Sequence, residues 1–190
     1  MILGIVTARL GSTRLPAKAL LPIGKQTMVE HALEQMCVSN VDETYLCTPD
    51  KFLSEFVEFN SLLWIGERDM TGELRAAAIT EWEDGDKPDH IVRVTADCPF
   101  VTPEIINRVI EEHLKSGADY TYNHHDSLPS STPEGIDVEV VTYEALQKLR
   151  GKEHLYNGED ITIHRVDMEE EREVFSVNTL DEYIRAFKEL

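Results

Sequence analysis

Acidic residues are missing from the first 29 positions, although the chain holds 36 aspartates and glutamates against 18 lysines and arginines. The formal net charge is −18 over 190 residues. An excess of this size repels nucleic-acid phosphates, so we expect no nucleic-acid partner. It repels smaller anions as well, so an anionic ligand needs a local cluster of basic residues.

Long apolar runs and cysteines are also scarce. No stretch approaches the ~18 apolar residues of a membrane-spanning helix, and the apolar start at residues 1–6 is too short for the core of a signal peptide. The 3 cysteines are an odd number at irregular spacing, which does not suit a disulfide framework. We therefore expect a cytoplasmic protein with reduced cysteines and no membrane partner.

The length and composition are those of an ordinary globular domain. The chain is 42% apolar and 28% charged, and we expect residues 1–190 to form one domain because no repeat or linker interrupts them. Strand-like and helix-like patterns alternate through residue 122, which predicts a three-layer α/β/α sandwich with a Rossmann-like, mainly parallel sheet. The predicted strands are 2–7, 44–48, 62–65, 91–95, 119–122, 135–141 and 173–177, and the predicted helices are 28–38, 51–59, 71–83, 103–116, 143–149, 158–164 and 180–190.

The loop that follows the first predicted strand concentrates positive charge. Glycine, serine, threonine and proline make residues 9–18 turn-rich rather than helical. A basic loop at this position is suited to bind an anion, above all the phosphates of a nucleotide. A basic surface loop without a ligand is the alternative interpretation. The charges of residues 1–29 sum to +4, which leaves −22 for the remainder, and they come from Arg9, Arg14, Lys18 and Lys25.

Polar residues follow two further predicted strands. In open α/β sheets, ligands bind at the carboxyl ends of the strands, so residues 95–99 and 177–179 are expected near the basic loop. Asp97 directly follows an apolar strand, where one carboxylate can hold Mg²⁺ together with phosphate oxygens and water. The alternative is that Asp97 caps a turn.

Other candidate residues give weaker signals. Asp137 and Glu139 share one face of their strand because they are two apart, and the pattern leaves open whether they line a pocket or face solvent. His124 and His125 lie in a polar loop without a metal-ligand spacing, so an ordinary loop is favoured. Cys98 lacks an obvious base partner, which argues against nucleophilic catalysis.

Several motifs occur together along the chain: IVTARLGSTRLPAK, VRVTADCPFVTPEIINRVI, PEGIDVEVVTYEAL, GEDIT and SVNTLDE. In this order they resemble the blocks of the nucleotide-sugar cytidylyltransferases. The opening is similar to the pattern x-x-A-R-x-G-S-T-R-L-P-x-K of the SpsF-like, spore-coat polysaccharide type, which is related to the sialic-acid and Kdo cytidylyltransferases. The similarity spans nearly the whole chain, and the first two blocks are the specific ones.

The resemblance implies a reaction in which a sugar or sugar acid attacks the α-phosphate of CTP, giving a CMP-sugar and pyrophosphate. It also implies Mg²⁺ as cofactor and a homodimer. The implied catalytic residues are Arg14, Lys18 and Asp97, with Asp97 and Asn178 as metal ligands. The implied nucleotide-binding residues are Ala8, Arg9, Gly11, Ser12, Thr13, Arg14, Lys18, Arg75, Thr95 and Ala96, and the acceptor-binding residues are Asn123, Asp137, Glu139 and Glu159.

Two departures from the family pattern bear on function. Asn178 stands where the family has a closing aspartate, which removes a charge from the metal site, and Asp160 stands where the fourth block has a histidine. A nucleotide-binding module that has lost turnover and acts through a partner is therefore a second hypothesis. A GT-A-like glycosyltransferase is a third, but its D-x-D motif is matched only by residues 84–86, which precede their strand.

Overall fold

The computed structural model describes residues 1–63, 87–149 and 160–190, and for residues 61–63 it describes the backbone alone. The strands are β1 (Ile2–Thr7), β2 (Pro22–Ile23), β3 (Gln26–Thr27), β4 (Glu43–Thr48), β5 (Ser61–Leu63), β6 (His90–Thr95), β7 (Tyr120–Tyr122), β8 (Glu139–Thr142) and β9 (Ile163–Arg165). The helices are α1 (Met28–Cys37), α2 (Lys51–Phe56), α3 (Pro103–Ser116), α4 (Tyr143–Lys148) and α5 (Leu180–Glu189), with a 3-10 turn at Lys18–Leu20.

The described strands build one mixed sheet and one small hairpin. The sheet has the order β5-β4-β1-β6-β8-β7-β9, and β2 pairs with β3 in the hairpin. Strand β1 pairs in parallel with β4 and β6, as do β4 with β5 and β7 with β9. Only β8 runs antiparallel to its neighbours in the described sheet. The predicted mainly parallel sheet is confirmed, whereas the hairpin was not foreseen.

Alternating side chains of the central strands bury both faces of the sheet. On β1, Val6 packs with α1 and α3 on one face, while Leu3 and Ile5 pack with α4 on the other. All three side chains are fully buried. Each such burial stabilises the fold by about 1.5–3 kcal/mol. Helices therefore cover both faces, and the predicted three-layer sandwich is confirmed.

Capping residues fix where the helices begin. Thr27 and Glu30 form a capping box at the start of α1, and Thr179 and Glu182 form another at the start of α5. Thr102 accepts a hydrogen bond from the Ile105 amide at the start of α3.

Two predicted elements are wrong where the structure describes them. Residues 160–164, predicted as part of a short helix, form a turn and then β9, because the Asp119 carboxylate accepts hydrogen bonds from the amide and the hydroxyl of Thr162 and places this segment beside β7. The predicted strand at 173–177 has no regular secondary structure and joins no described strand; its Val177 amide donates to the carbonyl of Asp97 at 2.8 Å.

Other boundaries differ in length. The predicted strand 135–141 begins only at Glu139, since the backbone before it is held by the Asn123 side chain instead of a neighbouring strand. Helix α2 ends at Phe56, three residues earlier than predicted. The predicted helix 71–83 lies outside the described residues. Within the described chain, no helix is long and apolar enough to cross a membrane.

Candidate active site

The strand order places several loops at one point of the sheet edge. From β1 the chain moves to β4 and β5 on one side and then returns to β6 on the other side. The carboxyl ends of β1 and β6 therefore flank the switch point, where open α/β sheets bind ligands. Thr7 pairs with Thr95, and the Ala96 amide donates to the Thr7 carbonyl at 3.0 Å. The structure thus brings together Ala8, Thr95 and Ala96, which are predicted nucleotide-binding residues.

The basic loop after β1 is held by its own backbone. The Leu10 amide donates to Oδ2 of Asp50 at 2.7 Å, and the Ala17 amide donates to the Leu10 carbonyl at 3.0 Å. The Ser12 amide also donates to the Leu10 carbonyl at 2.9 Å, so it takes part in holding the loop. A Cβ added to Gly11 would meet no atom within 4 Å, which leaves open space around its backbone.

The two arginines of this loop are exposed, as is Thr13. In the part of the chain that the structure describes, neither Arg9 nor Arg14 forms an ion pair within 4.0 Å. Arg14 lies close enough to Glu182 for its charge to act on that carboxyl. Burial raises the pKa of Glu182, but hydrogen bonds from Asn178 and Thr179, together with Arg14, lower it overall. Both guanidinium groups can therefore meet an anion from solvent.

Lys18 links three segments that are distant in sequence. Its Nζ donates to Oδ2 of Asp97 at 2.5 Å, to Oδ1 of Asn178 at 2.8 Å and to the carbonyl of Val177 at 2.9 Å. These contacts use all three donors of the ammonium group. The lysine side chain is 12% exposed and the Asp97 side chain 26% exposed. The ammonium therefore closes the inner wall of the site, while the carboxylate still reaches solvent.

The two predicted metal ligands converge. Asp97 and Asn178 both face the Lys18 ammonium, so their oxygens lie within reach of a single cation. Burial raises the pKa of Asp97, but the charge and hydrogen bond of Lys18 outweigh it and keep the carboxyl ionised. Hard oxygen donors of this kind suit Mg²⁺. Within the described residues no group of 3 or more His, Cys, Asp or Glu side chains could hold a metal, so a bound Mg²⁺ would need phosphate oxygens too.

Of the predicted acceptor-binding residues, Asn123 is fully buried. Its Nδ2 donates to the Ile136 carbonyl at 2.7 Å, and its Oδ1 accepts from the amides of His124 and Val138 at 2.8 Å. Together with the bond from the Asn123 amide to the Val138 carbonyl at 3.3 Å, these bonds hold residues 136–138 in place. Contact between Asn123 and an acceptor stays a prediction, and the described contacts give the residue a structural role.

Glu139 lies inside the sheet. It pairs with Arg93 at 2.9 Å, directly across the register of β6 and β8, and accepts from the Tyr120 hydroxyl at 3.0 Å. Its side chain is only 5% exposed. The hydroxyl of Tyr120 has a pKa raised well above its usual value, first by burial and then by this carboxylate. Glu139 therefore belongs to a buried ion pair, although it shares a face with Asp137.

Asp137 lies at the edge of the site, half-buried. Its Oδ1 accepts from the Gly135 amide at 3.0 Å, and its Oδ2 is 3.9 Å from Sγ of Cys98. The thiol also contacts Thr95 at 3.1 Å and Ser176 at 3.5 Å. Burial raises the pKa of Cys98 well above its usual value, so the thiol stays neutral and is a poor nucleophile, as its sequence context predicted.

Sequence reasoning missed several residues that shape the site. The Asp50 carboxylate accepts from the Leu10 amide, and the Glu182 carboxylate accepts from the Asn178 amide. Residues 177–179 were expected near the site, but the bond from Lys18 to the Val177 carbonyl was not foreseen. For Glu182 the T-x-x-E pattern of residues 179–182 was a usable signal. Arg75, Glu159 and the D-x-D match at 84–86 lie outside the described residues.

The fold and site together define a class. A mainly parallel α/β sheet with a basic loop and a carboxylate at its switch point is typical of nucleotide-binding α/β proteins. A model of the cytidylyltransferase family matches residues 3–184, and the chain belongs to this family.

Curated relatives agree with this assignment. Spore coat polysaccharide biosynthesis protein SpsF of Bacillus subtilis is 34% identical over 147 residues, which is 74% of this chain and 58% of SpsF. The 3-deoxy-manno-octulosonate cytidylyltransferase of Trichlorobacter lovleyi is 33% identical over 117 residues, 60% of this chain and 45% of that protein. The chain thus spans less than two thirds of the length of either relative.

Solved structures share the fold. A cytidylyltransferase from Leptospira borgpetersenii superposes with a TM-score of 0.78 at 24% identity, over 96% of this chain and 83% of that chain. A CMP:2-keto-3-deoxy-manno-octonic acid synthetase complexed with CTP gives 0.77 at 16% identity, over 100% and 99% of the two chains. At these identities, the likeness establishes the fold.

Proposed function

We propose that this protein transfers CMP from CTP to a sugar or sugar acid and releases pyrophosphate, in the biosynthesis of a surface polysaccharide. The observation that carries the proposal is the meeting of Lys18, Asp97 and Asn178 at the switch point, beside a basic loop whose arginines are exposed. Family membership supports the nucleotidyl transfer, and the names of the relatives support the polysaccharide and sugar-acid context.

The basic loop would bind the triphosphate. Arg9 and Arg14 are the exposed cations at the switch point, and transfer at phosphorus depends mainly on positioning and charge neutralisation. Neither a positive φ nor a neighbouring atom requires glycine at position 11. The open space there supports a different reason for glycine, which is to let phosphate oxygens approach the backbone closely. Lys18 would not contact the triphosphate directly. It would hold the oxygens of Asp97 and Asn178 in position and add positive charge at the inner wall of the site.

Asp97 and Asn178 would hold Mg²⁺ together with phosphate oxygens. The ion would neutralise phosphate charge and make a bound hydroxyl more acidic. Asp97 supplies the negative charge for this site, and Asn178 supplies a neutral oxygen whose direction is already set by Lys18. Cytosine as the base and a homodimer are further parts of the proposal that follow from the family resemblance. A cytoplasmic location is a further part that follows from the few, irregularly spaced cysteines.

Pyrophosphate release tests the proposal. The protein is incubated with Mg²⁺, with CTP, UTP, ATP or GTP, and with a panel of 3-deoxy-manno-octulosonate, N-acetylneuraminate, glucose and glucosamine. We expect release with CTP and at least one acceptor, and none after chelation of the metal. Nucleotide binding without release under any of these conditions would contradict the enzyme and favour a non-catalytic module.

A further inference from the structure

Two carboxylates flank one buried thiol at the site. Asp97 directly precedes Cys98 in the chain, and Oδ2 of Asp137 lies 3.9 Å from the Cys98 sulfur. Both negative charges act on the thiol and add to the effect of burial in raising its pKa. Asp137 therefore stands beside the loop after β6.

A close backbone contact fixes Asp137 in this position. Gly135 has a φ of +99°, and a Cβ there would lie 2.2 Å from the Phe175 carbonyl carbon, so only glycine permits the approach. The Gly135 amide then holds Oδ1 of Asp137, while Ser176, which follows Phe175, contacts the same thiol. The second carboxylate oxygen is directed at the thiol sulfur, which is at most a weak donor.

The two carboxylates differ in their charged neighbours. Asp97 pairs with Lys18, whereas Asp137 has no lysine or arginine within 4.0 Å among the described residues. Burial raises the pKa of Asp137 to about 6, helped by Glu139 and Glu134 and opposed by His124 and the Gly135 amide. The protein thus lowers the pKa of one carboxyl and raises that of the other. Two carboxylates with such different pKa values are suited to different roles, one as an ionised ligand and the other as a proton acceptor.

We propose that Asp137 is the general base that takes the proton from the attacking hydroxyl of the acceptor, a role that rests on the proposed transfer of CMP. The hydroxyl oxygen forms a bond to the α-phosphorus, and the bond from that phosphorus to the bridging oxygen breaks. Pyrophosphate leaves with the electron pair, the hydroxyl proton moves to the Asp137 carboxylate, and water later removes it.

Nearby groups are less suited to this step. Asp97 is bound to Lys18, Glu139 is bound to Arg93, and the Cys98 thiol is neutral and holds its proton. His124 uses Nδ1 to contact the Thr132 carbonyl at 2.8 Å, and its Nε2 is 3.6 Å from Asp126. Asp137 is the carboxylate at this edge that is half-buried and has a pKa close to neutral pH, as an efficient base requires.

The test compares Asp137→Asn with Asp126→Asn, a matched change at a side chain that is 87% exposed. CTP affinity is measured by calorimetry, melting by thermal denaturation, and pyrophosphate release across pH with whichever panel acceptor the wild type uses fastest. We expect Asp137→Asn to lower kcat by about 100-fold or more while CTP affinity and melting stay unchanged. The wild-type kcat should fall below about pH 6, and the variant should lose this dependence. Asp137→Glu should recover part of the rate.

The outcomes separate the inference from the function beneath it. If the wild type is active and Asp137→Asn is equally active, the proposed role of Asp137 is overturned while the proposed function stands. The same conclusion follows if kcat of the variant still falls below about pH 6. A loss of CTP affinity or melting temperature that accounts for the lost rate assigns Asp137 a structural role and also overturns it. A wild type that binds CTP but turns over no acceptor contradicts the proposed function and removes the basis of the inference.

Discussion

Two cation–carboxylate pairs involve β6 or the loop after it, and they differ in what surrounds them. Arg93 and Glu139 face each other across the register of β6 and β8, and the carboxylate side chain is 5% exposed. Lys18 and Asp97 meet beyond the strand ends, and this carboxylate is 26% exposed. The first pair joins two neighbouring strands, whereas the second joins the loops after β1 and β6 to the segment before α5.

The difference shows how position in the sheet separates a structural pair from a functional one. Inside the sheet, both partners are removed from water, so a substitution of one partner leaves the charge of the other buried and unpaired. Such a substitution therefore lowers the free energy of unfolding. Beyond the strand ends, one oxygen face of the carboxylate still meets solvent and can bind a ligand. We expect changes in the two pairs to affect different measurements.

The largest expected effect is that of Asp97→Asn on turnover. The amide keeps the shape of the side chain and removes the charge that Lys18 and a bound Mg²⁺ both require. We expect pyrophosphate release to fall roughly 1,000-fold, with melting changed little, because lost stabilisation of developing charge has effects of this size. Steady-state kinetics and thermal denaturation check this. Full activity in Asp97→Asn would refute the metal-binding role.

Changes in the sheet pair should produce the opposite result. Arg93→Met leaves the Glu139 carboxylate buried without its cation, which typically costs about 3–5 kcal/mol of unfolding free energy. Urea denaturation measures this cost, and kcat per folded molecule should be retained. Glu139→Gln serves as the companion variant. A raised KM for the acceptor in that variant would show that Glu139 binds the acceptor as the sequence predicted.

A buried histidine extends the comparison to pH. Burial, together with His90 and His164, lowers the pKa of His113 from 6.5 to about 4, and its ring nitrogens contact His90 at 3.0 Å and Thr121 at 2.8 Å. Below pH 6.5 the unfolded chain binds a proton that the folded protein refuses until about pH 4. The free energy of unfolding should therefore fall as pH falls through this window, by at most about 3 kcal/mol.

Denaturation curves between roughly pH 7.5 and pH 4 measure this loss of stability, because the range includes the pKa of His113 in both the unfolded and the folded protein. His113→Gln keeps a polar group facing His90 but does not titrate, so its stability should depend less steeply on pH. Equal pH dependence in both proteins would show that His113 is not the group responsible.

The smallest expected effect is that of Asn178→Asp. This change restores the charge of the family pattern beside Lys18 and Asp97. Apparent Mg²⁺ affinity should rise several-fold, since ligand charge tunes the binding of hard cations, and turnover should be kept or raised. The Mg²⁺ dependence of kcat gives the answer. A variant that binds Mg²⁺ no more tightly would place Asn178 outside the metal site.

In the structure only Asp97 follows a strand of the sheet, and the hydrogen bond from the Val177 amide to the Asp97 carbonyl brings Asn178 to the same place. Sequence predicted the convergence of Asp97 and Asn178 on the assumption that both follow strands whose ends meet at one edge. It could not predict that Lys18 lies between them, since the path of a turn-rich loop depends on tertiary contacts such as that of Leu10 with Asp50. Alternation placed Asp137 and Glu139 on one face, but only the pairing of β6 with β8 revealed Arg93 opposite Glu139.

The elements that sequence missed also have tertiary causes. Residues 160–164 lack a buried stripe of their own, and the Asp119–Thr162 contact draws them to the sheet edge. The segment 173–177 packs beside Gly135, where the close backbone contact replaces strand pairing. Local patterns identify the long helices and central strands, where periodicity and burial agree, and fail where a single side chain decides the course of the backbone.

The central claim is that the loop after β1, together with Lys18, Asp97 and Asn178, binds the triphosphate. Calorimetric titration with CTP and Mg²⁺ tests this claim most directly. Arg14→Ala and Lys18→Ala are compared with Lys25→Ala, which removes the same charge from an exposed residue in the turn between β2 and β3. We expect CTP affinity to fall about tenfold or more in Arg14→Ala, because hydrogen bonds to charged groups contribute about 1.5–3 kcal/mol. We expect a fall of similar size in Lys18→Ala, because this change removes positive charge from the site and releases the oxygens of Asp97 and Asn178 that the ammonium holds. Lys25→Ala should bind like the wild type. Unchanged affinity in both Arg14→Ala and Lys18→Ala would contradict the account.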